Sequence, residues 1–404
     1  MALVRHPSHA SIVFALGVSL MLPACASAPT VPLSAAATAN LASFDHVWTT
    51  VRERHWDPTS LEPAWTAARE RLRPQVAQTS DAEQARPLLR ELLAIVGVSH
   101  YAVDGAVAPR GTAPCPNGDL GVEWRLLDGR LVVVRVLPGR AGDLAGVRTG
   151  WSLAATEPPD ACLGVPTTYD FDVGDGIRQL VITAGPWADP VAQFGNLPAL
   201  PLRYESRVVG DGQVGYVALS IFLDPPTVLS KFDSDLRDFA DKRGLILDLR
   251  GNPGGIGAMA LGMGKHFVVG QDHALGTLVS RDASLRFVLN GGREAFSKRL
   301  AIIIDKETGS TSEILAQGLK ELGVARIFGE TSAGMALPSN IEILPNGDRF
   351  QYAVANYVTV KGYTIEGRGV VPDVTIPWRR DDLLAGRDAA LDAALQWVNE
   401  GEMR

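Results

Sequence analysis

The sequence predicts an α/β fold that carries a helical segment near its N-terminus and a small β-rich insertion. Three observations lead to it. Apolar runs at Val214–Ser220, Gly244–Leu249 and Leu300–Ile304 read as buried strands. The third is followed by a helical pattern with apolar positions at Ile314, Leu315, Leu319 and Leu322. Roughly residues 41 to 100 read instead as helices, and residues 117 to 203 as short strands between turns. About 380 of the 404 residues lie beyond the first 25, more than one core ordinarily holds, so two or three units are expected.

In chain order, Arg5 and neighbouring histidines precede an apolar run, Ile12 to Leu22, too short to span a bilayer. The run ends Leu22-Pro23-Ala24-Cys25, which resembles a bacterial lipoprotein signal. The expectation is a signal over residues 1–25, cleaved before Cys25 and lipidated there, in an exported, periplasmic chain anchored at the outer membrane. Pro23 is uncommon at its position, so secretion after cleavage at an Ala-x-Ala site is the second reading. Residues 26–40, rich in Ala, Thr, Ser and Pro, read as a flexible spacer, and residues 41–114 as an N-terminal helical domain.

Residues 115–203 form the inserted unit. Gly121-Val122-Glu123-Trp124 and Leu131 to Leu137 read as strands, and Ala141 to Trp151 as a short helix followed by a Gly-Val-x-x-Gly turn. This pattern is similar to part of a PDZ domain, a module that binds chain ends by strand addition. Asp119 falls where the carboxylate-binding loop would lie and would repel a terminal carboxylate, with Arg125 or Arg135 as the cations that offset it. Of three cysteines, Cys115 and Cys162 remain once Cys25 is lipidated. An oxidising compartment would let them pair, and two isolated buried thiols is the alternative.

The core, residues 204–404, holds the chemistry. Leu247-Asp248-Leu249-Arg250-Gly251-Asn252-Pro253-Gly254-Gly255 runs from a strand into a glycine turn, through which backbone amides can approach a ligand. The same residues are also ordinary turn punctuation. Thr308-Gly309-Ser310-Thr311-Ser312-Glu313 then joins a strand to a helix. A serine there can point its hydroxyl out of the sheet, with the first free N–H groups of the helix beside it to hold an oxyanion. Ser310 or Ser312 acting only as a helix cap is the plainer reading. Downstream lie Gly329-Glu330-Thr331-Ser332-Ala333-Gly334 and Ile365-Glu366-Gly367-Arg368-Gly369-Val370-Val371-Pro372-Asp373. A closing amphipathic helix is expected over Asp381 to Val398.

In this order the four motifs resemble the tail-specific (carboxyl-terminal processing) serine protease superfamily, which includes the core of the tricorn protease. Phe44-Asp45-x-Val47-Trp48 and Trp56-Asp57-Pro58 resemble its opening helices, so the likeness runs from about residue 41 to 398. It implies a ClpP/crotonase-like α/β core, a helical cap, a PDZ-like insertion and serine endopeptidase activity on peptides or proteins, without a cofactor. In the processing enzymes the nucleophile works with a lysine, and the matching position here is Met335. A thioether cannot take up the hydroxyl proton, and none of the seven lysines matches another motif position. The tricorn-like branch uses Ser, His and Glu with a helper serine, and Val98-Ser99-His100-Tyr101 resembles its Ser-His pair. The likeness therefore implies Ser310 as nucleophile, His100 as base, Glu366 supporting the imidazolium, and Ser99 orienting that carboxylate or a water. Thr311 and either Gly254 or Gly255 would supply the oxyanion amides.

Other histidines are weaker candidates. His6 and His9 lie in the leader, His46 and His55 suggest exposed or capping positions, and His266 and His273 lack partners at metal-ligand spacing, so no metal is expected. A net charge of −7 without a basic cluster argues against nucleic-acid binding, and the lipid would be the sole membrane contact. Two non-enzymatic readings stand beside the peptidase: a ligand- or partner-binding protein on the same fold, and a lipoprotein adaptor working through its PDZ-like unit.

Overall fold

A computed structural model describes residues 33–106, 115–154, 157–197 and 199–400. Cys25 and the leader lie outside the described residues. The core is a six-stranded sheet in the order Val374–Thr375, Ala325–Gly329, Arg299–Ile304, Gly244–Asp248, Val214–Leu219, Tyr204–Val209. All neighbours run parallel except the last pair, in which Tyr204–Val209 is antiparallel.

Both faces of this sheet are covered, which is why its strands read as unbroken apolar runs. On one face Leu245, Leu247, Leu300, Ile302 and Ile304 pack with helices Pro225–Asp238, Ala258–Gly264 and Thr311–Glu321. On the other, Ile246, Ala301 and Ile303 pack with Ala390, Ala394 and Val398 of the last helix. Alternate residues of one strand thus serve two different helical layers, as the two-residue side-chain period requires.

The N-terminal helices Ala35–Arg54, Ala64–Val76 and Ala82–Ala94 bury Phe44, Val47, Trp65, Leu72, Leu89 and Leu92 among themselves. The first starts at Ala35, capped by the Ser34 hydroxyl accepting from the Ala37 N–H, so residues 35–40 are helical rather than spacer. His55, expected to be exposed or a cap, is the C-cap residue but is buried, bonded to the Tyr101 hydroxyl at 2.7 Å and to Ser60 at 3.1 Å. A short strand, Ala102–Asp104, then pairs antiparallel with Arg349–Ala353, and the buried Asp348 takes an ion pair from Arg86. These contacts hold the helical unit onto the core.

The insertion is a five-stranded antiparallel sheet, Val122–Leu127, Arg130–Val136, Ser152–Leu153, Pro166–Asp172 and Ile177–Thr183, with one short helix, Ala141–Leu144. Cys115 and Cys162 form a disulfide with their Cα atoms 5.0 Å apart. Asp119 is paired with Arg140, not with Arg125 or Arg135. The latter two instead reach the core, Arg125 to Asp305 at 2.9 Å and Arg135 to Asp248 at 3.2 Å. The single closing helix expected from Asp381 is two, Arg380–Leu384 and Ala389–Asn399. Gly386 at φ +71° breaks the run, and Asp388 caps the second helix through the Leu391 N–H. The first piece faces the insertion, where Arg380 donates to Gly150 O and Asp172 O, and the second lies on the sheet.

Candidate active site

Ser310 ends the turn after strand Arg299–Ile304 and stands at the N-terminus of helix Thr311–Glu321. Its backbone, at φ 53° and ψ −119°, occupies a region that non-glycine residues rarely enter. Several contacts hold it there. The Ser310 N–H donates to Glu313 Oε2 and to Met335 O, each at 2.9 Å. The same buried Glu313 carboxylate also accepts from Ser332 Oγ at 2.5 Å and from the Gly334 and Met335 amides at 2.7 and 2.9 Å. Burial pushes its pKa up while these four donors pull it down. The capping reading of Ser-x-x-Glu is therefore correct for Glu313 and fully compatible with a serine facing a cleft.

The glycine turn packs directly under Ser310. A Cβ on Gly254 would stand 2.5 Å from Ser310 Cβ and 2.8 Å from the Thr311 nitrogen, so only glycine fits. Fully buried Asn252 ties the two turns together: its carbonyl accepts from Gly309 N at 2.9 Å and Ser312 Oγ at 3.1 Å, and its side chain donates to Leu219 O. Its Oδ1 accepts the Gly254 N–H at 2.9 Å, which separates the two glycines that sequence could not. Gly254 has its amide committed, whereas the Gly255 and Thr311 amides have no partner among the described residues.

His100 comes from more than two hundred residues upstream. The turn after helix Ala82–Ala94 presents it at φ 62°, immediately before the strand that pairs with Arg349–Ala353. Ser99 Oγ lies 2.7 Å from His100 Nδ1 and donates to Glu366 Oε2 at 2.9 Å; the Ser99 amide donates to Glu366 Oε1 at 2.7 Å. The Ala336 amide adds a third donor to Glu366 at 3.1 Å. Glu366 thus reaches the imidazole only through Ser99. Burial lowers the His100 pKa from 6.5 to about 4, keeping the ring neutral.

Ser99, His100, Ser310, Gly254, Gly255 and Met335 line one cleft of about 860 Å³. All the expected catalytic and oxyanion residues except Glu366 and Thr311 line it, and those two lie one hydrogen bond or one residue behind its wall. Asn252, Glu313 and Ser332 were not singled out by the motifs, although Ser-x-x-Glu marked Glu313 as a cap. Buried polar residues in a turn give no sequence sign of what they bond to.

Residues 213–376 match the family model described as peptidase family S41. Among curated proteins, the tricorn protease homolog 1 of Streptomyces coelicolor is 26% identical over 391 residues, covering 87% of this chain and 34% of that protein. The carboxy-terminal processing protease CtpB of Bacillus subtilis is 25% identical over 271 residues, 64% of this chain and 55% of that one. The chain therefore spans about a third to a half of the length of these relatives. Among solved structures, the photosystem II D1 C-terminal processing protease superposes with a TM-score of 0.54 at 20% identity, over 89% of this chain and 97% of that chain. The tricorn protease gives 0.56 at 18% identity, over 90% and 37%. The likeness drawn from the four motifs is borne out.

Proposed function

We propose that the chain, whose residues 213–376 match the model of peptidase family S41, is an exported serine endopeptidase working through an acyl-enzyme on Ser310. One observation carries this reading: the His100–Ser99–Glu366 chain and Ser310 line or back the same cleft, on elements far apart in sequence. A carboxylate can only accept, so the Ser99 proton belongs to Glu366 and His100 Nδ1 must donate to Ser99 Oγ. That leaves Nε2 unprotonated, the form a general base requires. His100 takes the Ser310 proton as Oγ attacks the peptide carbonyl, then returns it to the departing amine. Ser99 and Glu366 stabilise the imidazolium formed between these steps. The Thr311 and Gly255 amides hold the oxyanion, aided by the helix N-terminus. Met335, exposed in the cleft, stands where a dyad lysine would and has no basic atom.

We read the core as ClpP/crotonase-like and the insertion as a PDZ-like unit that scaffolds rather than captures chain ends. Supporting the latter, the Asp119–Arg140 pair fills the loop where a terminal carboxylate would bind. Export and a lipid anchor at Cys25, with the outer membrane as destination, rest on the leader sequence. The Cys115–Cys162 bridge suits an oxidising compartment.

Incubating the purified chain from Ala26 onward with a fluorophosphonate probe tests the reading. Labelling that is lost in Ser310→Ala and falls steeply in His100→Ala is expected. A folded wild-type protein that does not label would favour a non-catalytic binding role instead.

A further inference from the structure

The geometry points to a docking edge for substrate: an extended, uncharged internal segment of polypeptide adds as a strand to Ser339–Ile343, at the place now held by the side-chain amide of Asn196. The inference rests on the peptidase reading for calling the occupant a substrate. Ser339–Ile343 is an outer strand of a three-stranded sheet, and its sole strand partner among the described residues is Arg349–Ala353. The ladder is fixed at its two ends by Val354 N to Pro338 O at 2.9 Å and Leu344 N to Asp348 O at 2.7 Å. In an antiparallel pair the bonded residues alternate, so residues 340 and 342 face the partner and Ser339, Ile341 and Ile343 turn their N–H and C=O groups outward. An open edge of this kind is a template for another chain.

That edge borders the cleft holding Ser310, His100 and Gly255. One of its outward groups is already satisfied by something that resembles a peptide. Asn196 Nδ2 donates to Ile341 O at 2.9 Å. Asn196 sits in the loop between the paired segments Val191–Ala192 and Leu200–Pro201, whose Phe194 and Leu197 also line the cleft. Its primary amide occupies the place of a substrate backbone N–H, and so acts as a latch that an incoming strand displaces.

The lining fixes the class of segment. Among the described residues that border the cleft there is no lysine or arginine, and Glu342 is the one carboxylate. A chain terminus would find no cation for its carboxylate, whereas Leu197, Leu200, Ile221, Ile256 and Met335 offer apolar contact. The segment is therefore an internal one with small or apolar side chains.

The test uses the Ser310→Ala protein and a fluorescein-labelled, N-acetylated, C-amidated ten-residue peptide of alanine, valine and serine, read by anisotropy. Replacing its backbone amides by esters one at a time removes one donor each. Strand addition predicts weakening at every second position, by roughly three- to tenfold for each lost hydrogen bond. Asn196→Ala should tighten binding by a similar factor, and Ile341→Pro, which removes an outward N–H and no ladder bond, should weaken it. Melting temperatures check that the proline variant is folded, and Asn196→Ala carries the test if it is not. Absence of saturable binding, ester effects without the two-residue period, or indifference to Asn196→Ala would each overturn the docking edge. Alternating binding in a chain whose wild-type form takes no fluorophosphonate would instead overturn hydrolysis and leave the edge standing.

Discussion

The imidazole of His100 meets the hydroxyl of Ser99 at 2.7 Å, where a carboxylate would be expected, and the acid stands one residue further back. A hydroxyl transmits the charge of Glu366 less directly than contact would, but it also fixes the tautomer. With its single proton given to Glu366, Ser99 leaves His100 Nδ1 no role but donor.

Ser99→Ala should therefore cut kcat by about a hundredfold or more, by freeing the ring to adopt the wrong tautomer. Glu366→Gln should cost a comparable amount. The double variant should be little worse than either single one, since the residues act as a unit. Rates of fluorophosphonate labelling across this set of three measure it, and additive losses would contradict a relay.

Burial lowers the His100 pKa from 6.5 to about 4, so the imidazole stays neutral well into the acid range. The acid limb of the kcat/KM profile should fall near pH 4 to 5, not near the 6.5 of a free imidazole. A midpoint near 6.5 would mean that the ring is solvated in the working enzyme.

His55 has the same shift for the same reason, with its pKa down to about 4 and the ring buried. A folded-state pKa below the unfolded one gives stability that is present above pH 6.5 and is lost as pH falls towards 4. Thermal unfolding between these limits should show that decline, and His55→Gln, which cannot titrate, should make it shallower.

Glu313 gathers four donors around the strained Ser310 turn. Glu313→Gln replaces one accepting oxygen by a donor facing amides, a loss on the order of 2 kcal/mol in stability. Calorimetry would show a lower Tm, and labelling should fall further than the melting shift explains, because Ser310 loses its fixed backbone.

The Cys115–Cys162 bridge closes a sequence separation of 47 residues. Loop entropy makes its removal worth about 4 kcal/mol to the unit that contains it. Cys115→Ala/Cys162→Ala should unfold at lower urea than the parent, with the difference absent once the parent is reduced.

The apolar runs placed the core strands, and the motif order pointed to residues that the fold brings to one cleft. Gly244–Asp248 and Arg299–Ile304 lie within a residue of where their sequence placed them, because a strand buried on both faces has no polar alternation to blur its limits. Ser310, His100, Glu366 and Ser99 could be named only through the resemblance of the ordered motifs to the tail-specific protease superfamily, because residue type and turn chemistry alone leave the serine a helix cap. The tail reading failed at Gly386, where one αL residue outweighed an otherwise helical apolar pattern. Pairings across the chain were beyond sequence. That Arg140 rather than Arg125 or Arg135 answers Asp119, that Asn252 occupies the Gly254 amide and leaves Gly255 open, and that Asn196 covers an open strand edge were all decided by tertiary structure. The physical reason is that a hydrogen bond is set by distances of a few tenths of an ångström between groups far apart in the chain, whereas a buried strand is set by its own composition.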